Sequence, residues 1–145
     1  MMNLINLASN CLQKIALTIM ADWRVEGKEN VPQMGAMIIV ANHQSNFDPS
    51  LISASIPRTT WFLAKHDIFK GRLLTWFLRQ YGAFPLNRKR TDIAAYRWTL
   101  DQLSKGQAVV VFPEGTRNIG GMKKAHPGIA RIALKSRVPL LPVGI

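Results

Sequence analysis

MIIVANHQSNFDPSLISASI, residues 37–56, decides the architecture. Met37 to Ala41 is an unbroken apolar run with branched Ile38, Ile39 and Val40 at its centre. A short run of this kind suits a strand buried on both faces. It gives way to the polar stretch 42–48, and Asp48-Pro49 then opens a helix. Aspartate is a favoured N-cap, and proline fits the first helical position because its missing N–H would have had no partner there. Strand, polar loop and helix in this order make the unit of a layered α/β fold.

The pattern repeats towards the C-terminus. WFLAK (61–65) predicts a strand, 68–81 a helix, and GAFPLNR (82–88) a short extended segment. Thr91 or Asp92 caps a helix running to about Ser104, which Lys105-Gly106 ends. AVVVF (108–112) is the clearest buried strand, IARIALKS (129–136) is helical, and VPLLPVGI (138–145) supplies a last strand. Towards the N-terminus, Gly27, Pro32 and Gly35 mark a turn region preceded by a short strand, Trp23 to Val25. The expectation is an α/β fold: one layered domain over 22–145, with a mainly parallel central sheet flanked by helices.

Residues 1–21 stand apart as an amphipathic helix. Leu4, Ala8, Cys11, Leu12, Ile15 and Ile19 recur at helical spacing, while Asn6, Asn10, Gln13 and Lys14 gather on the other side. The stretch is polar and slightly short for a membrane span. It suits a helix lying in a membrane interface, the alternative being a helix that packs on the core.

The length of 145 residues is enough for one core. With 48% hydrophobic and 19% charged residues the chain is not disordered. The single cysteine, Cys11, excludes an internal disulfide, and the absence of a Cys/His cluster argues against a zinc site. There are 19 Lys+Arg against 8 Asp+Glu, a net charge of +11. The excess begins after residue 50: Arg58 to Arg90 holds eight basic residues and only Asp67, and the stretch after Glu114 holds six and no acid. Such a surface attracts nucleic acid, anionic lipid or phosphorylated substrates.

In parallel sheets the chemistry sits beyond the carboxyl ends of the strands. NHQSNFD follows the strand at 37–41 and PEGTR follows the one at 108–112. His43 and Asp48 are spaced H-x-x-x-x-D, so a loop that doubles back lets the carboxylate accept from one ring nitrogen and leaves the other as a base. The alternative is that Asp48 only caps the helix; a carboxylate has oxygens enough for both. In FPEGTR, Gly115 permits a tight turn, Arg117 can grip a phosphate with Thr116 assisting, and Glu114 can hold a hydroxyl or orient Arg117. Arg88-Lys89-Arg90 is a further basic group; His66 and His126 read as loop histidines. Ser45 lies too close to His43 along the chain for a nucleophile–base pair.

The ordered set NHQSNFD (42–48), GAFPLNR (82–88), FPEGTR (112–117) and VPLLPVGI (138–145) resembles the four blocks of the 1-acylglycerol-3-phosphate acyltransferases, the lysophosphatidic acid acyltransferases. FLAK (62–65) is similar to the family as well. The resemblance implies that His43 is the general base and Asp48 orients it. It implies that Arg88 contacts the acceptor phosphate and that Glu114, Gly115, Thr116 and Arg117 shape the glycerol-phosphate site. Lys65 would bind phosphate or stabilise the oxyanion, and Pro142 with its neighbours would shape the acyl-donor side.

The implied reaction moves an acyl group from acyl-CoA or acyl carrier protein to lysophosphatidic acid, giving phosphatidic acid, with no metal or further cofactor. The implied setting is an anionic membrane surface on the cytoplasmic face. Glycerol 3-phosphate or another lysophospholipid is the alternative acceptor. Family members continue beyond the fourth block, so a C-terminal part is expected to be missing, and an inactive membrane-binding remnant is the reading from a different class. Nucleic-acid binding has only the charge in its favour: the chain carries no recognisable module, and the aromatics at 70–90 read as helix core.

Overall fold

A computed structural model describes residues 4–88 and 91–145. Helix α1 (Leu4–Met20) precedes the unit that opens the sheet: β1 (Met37–Ala41) and α2 (Asp48–Ser55). Then follow β2 (Thr60–Lys65), α3 (Arg72–Tyr81), β3 (Ala83–Leu86), α4 (Ile93–Ser104), β4 (Ala108–Val111), α5 (Gly128–Ser136) and β5 (Leu140–Val143). Among the described residues the five strands form one sheet in the order β3-β2-β4-β1-β5. Every pairing is parallel, so the mainly parallel sheet expected from the sequence is wholly so.

Burial of both sheet faces explains the continuous apolar runs. Met37, Ile39 and Ala41 of β1 join Ala108 and Val110 of β4 in a cluster with Ile52 and Ile56 at α2 and Tyr81 of α3. The intervening Ile38 and Val109 point the other way, onto Leu103 of α4 and Ile132 of α5. Such period-two alternation assigns α2 and α3 to one layer and α4 and α5 to the other. Each fully buried large aliphatic chain contributes about 1.5–3 kcal/mol.

Register fixes where the loops meet. Met37 pairs with Ala108 and Val40 with Val111, so β1 and β4 run side by side and end together. The polar stretches that follow them are therefore neighbours, although about seventy residues separate them in sequence. On the other flank Lys65 pairs with Leu86, which brings the end of β2 beside the loop carrying Arg88. Gly82 makes this second arrangement possible: its φ is 101°, and a β-carbon there would lie 3.1 Å from the Thr60 carbonyl.

Three expectations are corrected. Residues 23–25 form no strand; three residues offer few ladder bonds, and the chain turns at Gly27 into a 3-10 turn, Lys28–Asn30. The helix predicted over 68–81 starts only at Arg72, because a separate 3-10 turn (His66–Ile68) ends before Gly71, whose φ is 71°. Asp48 is not an N-cap: the cap position is Phe47, without a side-chain cap bond, and the Asp48 carboxylate turns back into the preceding loop. At α4 the cap is Asp92, which accepts from the Ala95 N–H at 3.0 Å. Lys89 and Arg90 of the basic group lie outside the described residues, as does Asn3.

Candidate active site

The loop after β1 curls around one carboxylate oxygen. Asp48 Oδ2 accepts from the backbone N–H of Gln44 at 2.6 Å and of Ser45 at 2.8 Å, and lies 2.8 Å from His43 Nδ1. Asp48 is 1% exposed and His43 7%. Three donors on one oxygen fix the loop, the ring and its tautomer together: Nδ1 carries the proton towards Asp48, and Nε2 is left for proton transfer. Oδ1 is buried and has no hydrogen-bond partner among the described residues. The ring of Phe112, at the end of β4, stacks on His43 with centroids 4.2 Å apart. Both χ freedoms of the imidazole are thus restricted, one by the carboxylate and one by an aromatic face.

Glu114 joins the second loop to the first. It is 4% exposed; Oε1 accepts from the His43 N–H at 3.1 Å and Oε2 from the Lys123 N–H at 2.9 Å. The Lys123 N–H and then the His43 N–H hold this carboxyl below the ordinary carboxylate value, against the opposing effect of burial. A further tie runs from the Asn118 N–H to the His43 carbonyl at 2.8 Å. The catalytic candidate is therefore gripped from the loop after β4 at both its N–H and its carbonyl.

Gly115 turns the chain with φ 66° and is enclosed on two sides. Arg88 Nη1 donates to its carbonyl at 2.6 Å. A β-carbon on Gly115 would lie 3.0 Å from the His126 ring, and the backbone N–H of His126 donates to the Pro113 carbonyl at 2.8 Å. Burial first, and the charge of Arg117 second, press Arg88 below the ordinary arginine value. It stays cationic at neutral pH, since arginine starts far above it. Two guanidinium groups in mutual repulsion gain from an anion placed between them.

The other expected residues lie around this centre. Thr116 and Arg117 are exposed, and Arg117 has no hydrogen bond or ion pair among the described residues. Lys65 is exposed and paired with Asp67 at 2.6 Å. A groove of about 790 Å³ runs from the turn along α4 and α5, lined by Arg88, Glu114, Thr116, His126, Arg131 and Tyr96 among others. A second groove of about 770 Å³ lies between residues 23–31, α2 and β5, with Pro142 in its wall. His43 lines neither groove; Glu114, which holds its backbone, lines the first. Sequence reading did not find Asn118 and Lys123, because they act through backbone N–H groups that any residue supplies. It read His126 as a loop histidine; the positive φ of the glycine it presses against is the signal that spacing could not reveal.

The molecule is thus a parallel layered sheet with a buried histidine–aspartate pair at its carboxyl rim. The family model described as Acyltransferase matches residues 22–145, and the chain belongs to that family. It is 29% identical over 136 residues to the 1-acyl-sn-glycerol-3-phosphate acyltransferase of Streptococcus pneumoniae, covering 88% of this chain and 50% of that protein. It is 30% identical over 136 residues to the lyso-ornithine lipid O-acyltransferase of Pseudomonas aeruginosa, covering 92% of this chain and 51% of that one. The crystal structure of the 1-acyl-sn-glycerophosphate (LPA) acyltransferase PlsC from Thermotoga maritima superposes with a TM-score of 0.80 at 34% identity, over 94% of this chain and 56% of that one. The chain thus spans about half the length of these relatives.

Proposed function

We propose that the site transfers an acyl group from a thioester to the free hydroxyl of 1-acylglycerol 3-phosphate. The observation that carries this reading is the buried His43–Asp48 contact of 2.8 Å, held against the FPEGTR turn by Glu114. His43 Nε2 removes the hydroxyl proton as the oxygen attacks the thioester carbonyl, and Asp48 stabilises the imidazolium. The tetrahedral oxyanion collapses, the carbon–sulfur bond breaks, and the thiolate takes the proton back from His43. The acceptor phosphate lies between Arg88 and Arg117, with Thr116 beside it, and Lys65 adds charge at the rim. Glu114 is a positioning residue: both its oxygens are engaged by backbone donors. No acyl-enzyme forms.

The acyl donor is acyl-CoA or acyl carrier protein, both anionic, as the basic chain favours. We place the protein at the cytoplasmic leaflet, whose anionic lipids attract basic surfaces. No helix among the described residues is long and apolar enough to cross a membrane. The likeness to the lyso-ornithine lipid enzyme supports a second reading, the same chemistry on a lyso-lipid without phosphate.

Purified protein incubated with lysophosphatidic acid and acyl-CoA, or with acyl carrier protein as donor, tests the reading through release of free thiol. Lyso-ornithine lipid serves as the rival acceptor. Release with lysophosphatidic acid that is absent for His43→Ala is expected. Preference for lyso-ornithine lipid moves the acceptor to the second reading, and thiol release unchanged in His43→Ala overturns the mechanism.

A further inference from the structure

Helix α1 is docked back to front. Its polar side faces the protein: Asn6, 2% exposed, donates to the Tyr81 carbonyl at 2.6 Å, and Asn10 Nδ2 donates to Asn6 Oδ1 at 3.1 Å. Ser53 of α2 donates to Asn10 Oδ1 at 2.6 Å, and the Tyr81 hydroxyl donates to Gln13 at 3.1 Å. The apolar stripe therefore points away, with Leu4 81%, Leu12 68% and Ile19 78% exposed. Tyr81, which anchors the ladder, is the last residue of α3. That helix also turns large apolar side chains outward: Leu73 is 79% exposed, Leu74 45%, Trp76 51% and Phe77 41%. Neither helix contains an acidic residue, and Lys14, Arg72 and Arg79 sit on them.

We propose that α3 is a second bilayer contact, adjoining α1, and that the Tyr81–Asn6 joint makes the two helices one surface facing anionic lipid. This deepens the membrane setting proposed above and rests on it. One interfacial helix leaves a domain free to roll about the helix axis. Two helices joined by a buried polar ladder fix its orientation, and with it the presentation of the rim to lipid. Large apolar surface rimmed by cations matches the boundary between acyl chains and anionic headgroups. A second copy of the chain is a poorer occupant, because the two faces would bring Lys14, Arg72 and Arg79 together with no carboxylate between them.

Vesicle binding by the 145-residue chain tests this without any substrate, so its outcome is independent of the acyl-transfer reading. Vesicles of phosphatidylcholine with phosphatidylglycerol are compared with phosphatidylcholine alone, and brominated lipid reports tryptophan depth. Tryptophan fluorescence is expected to be quenched by brominated lipid, and Trp76→Phe to remove most of that quenching while binding persists. Leu73→Glu and Leu12→Glu are each expected to weaken binding about tenfold or more, with Lys135→Glu on α5 as a control that retains it. Thermal melts keep the comparison among folded proteins. Wild-type binding in Leu73→Glu with loss only in Leu12→Glu overturns the proposal in favour of α1 alone. Unquenched Trp76 in bound protein overturns it too, as does a lipid-free dimer that Leu73→Glu dissociates.

Discussion

The carboxyl rim of the sheet and the α1–α3 face both invert the usual distribution of polarity, in opposite senses. At the rim, His43, Asp48 and Glu114 are charged or polar and buried; on the helices, Leu4, Leu73 and Trp76 are apolar and exposed. The rim is held by a dense set of bonds to a few side-chain oxygens, and the helices by a sparse polar ladder under an uncovered apolar surface. Buried polar groups cost free energy unless satisfied, and exposed apolar groups cost it unless covered. The first inversion is resolved inside the molecule, except at Asp48 Oδ1, which has no partner among the described residues. The second is resolved only by something outside it. Substitutions should separate the two regions accordingly: rim changes act on turnover, helix changes on docking and stability.

The largest effect is expected at His43. His43→Ala removes the proposed base, so acyl transfer should fall by at least about 10²–10⁴-fold. Its melting temperature should fall by a few degrees, because the buried Asp48 carboxylate loses a partner, while vesicle binding should stay near wild type. Thiol-release rates measured beside vesicle sedimentation check this, and loss of both properties together would erase the distinction between the regions. Asp48→Asn tests the same centre more gently, with the ring still placed but its imidazolium less stabilised. Its stability cost should come from the loop at Gln44 and Ser45 rather than from a lost helix cap.

Next comes Glu114, which binds no substrate in this reading yet holds His43. Glu114→Gln puts an amide against the N–H of His43 or Lys123, and a small displacement of a catalytic group can cost about 10²-fold. The pH dependence has a definite sign. Because the folded state lowers the Glu114 pKa from its ordinary 4.5, the tie is fully present above that value. It is lost as pH falls through the lowered pKa. Hydrogen-exchange protection of the His43 and Lys123 amides should therefore decline below about pH 4.5 in the parent, and show no such carboxylate-linked decline in Glu114→Gln. Protection that is equal and pH-independent in both would remove Glu114 from the positioning role.

What was legible in the sequence follows the range of the physics involved. The alternation of apolar runs with helical patterns reports local burial, and it placed four strands of the sheet, an extended segment where β3 lies, and α1, α2, α4 and α5. Strand order is a long-range property, and nothing in MIIVA says that AVVVF lies beside it. The three-residue strand at 23–25 failed because extended residues become a strand only with a partner edge. Asp48 was misread as a cap because Asp-Pro satisfies the local rule, whereas His43, Gln44 and Ser45 together compete for the same oxygen. At the site, side-chain pairings such as His43 with Asp48 are visible as spacing. Contacts made by the backbone of Asn118 and Lys123 leave no mark in residue identity. Helix α1 shows the same limit: its two faces were readable, but which one met the protein was not.

A smaller effect separates the two rim arginines. Arg117→Ala should raise KM for the phosphorylated acceptor about tenfold or more, the scale of a lost charged hydrogen bond, with kcat little changed. Arg88→Ala should move both constants, because Arg88 also holds the Gly115 carbonyl at 2.6 Å. Arg117→Lys should recover only part of the loss, since a point charge cannot reproduce the planar fork. Acceptor kinetics unchanged in both alanine variants would place the phosphate elsewhere.

The smallest effect lies in the ladder beneath the apolar face. Asn6→Ala leaves the Tyr81 carbonyl without the Asn6 donor and Asn10 Nδ2 without its acceptor. The first group is buried, so the substitution should cost about 1–3 kcal/mol and lower the melting temperature by a few degrees. Alanine has the higher helix propensity, which offsets a few tenths of that amount. The rim is expected to keep its geometry, because the side-chain hydrogen bonds of Asn6 among the described residues run to Tyr81 and Asn10, neither of them at the rim. Turnover on a water-soluble, short-chain acceptor should therefore match the parent, while turnover on vesicle-bound acceptor declines as α1 loses its fixed orientation. Measuring both substrates on one protein sample reads the two regions against each other. An equal loss on both would mean that the ladder supports the catalytic rim itself, and no loss on either would mean that the stripe of α1 holds its orientation without Asn6.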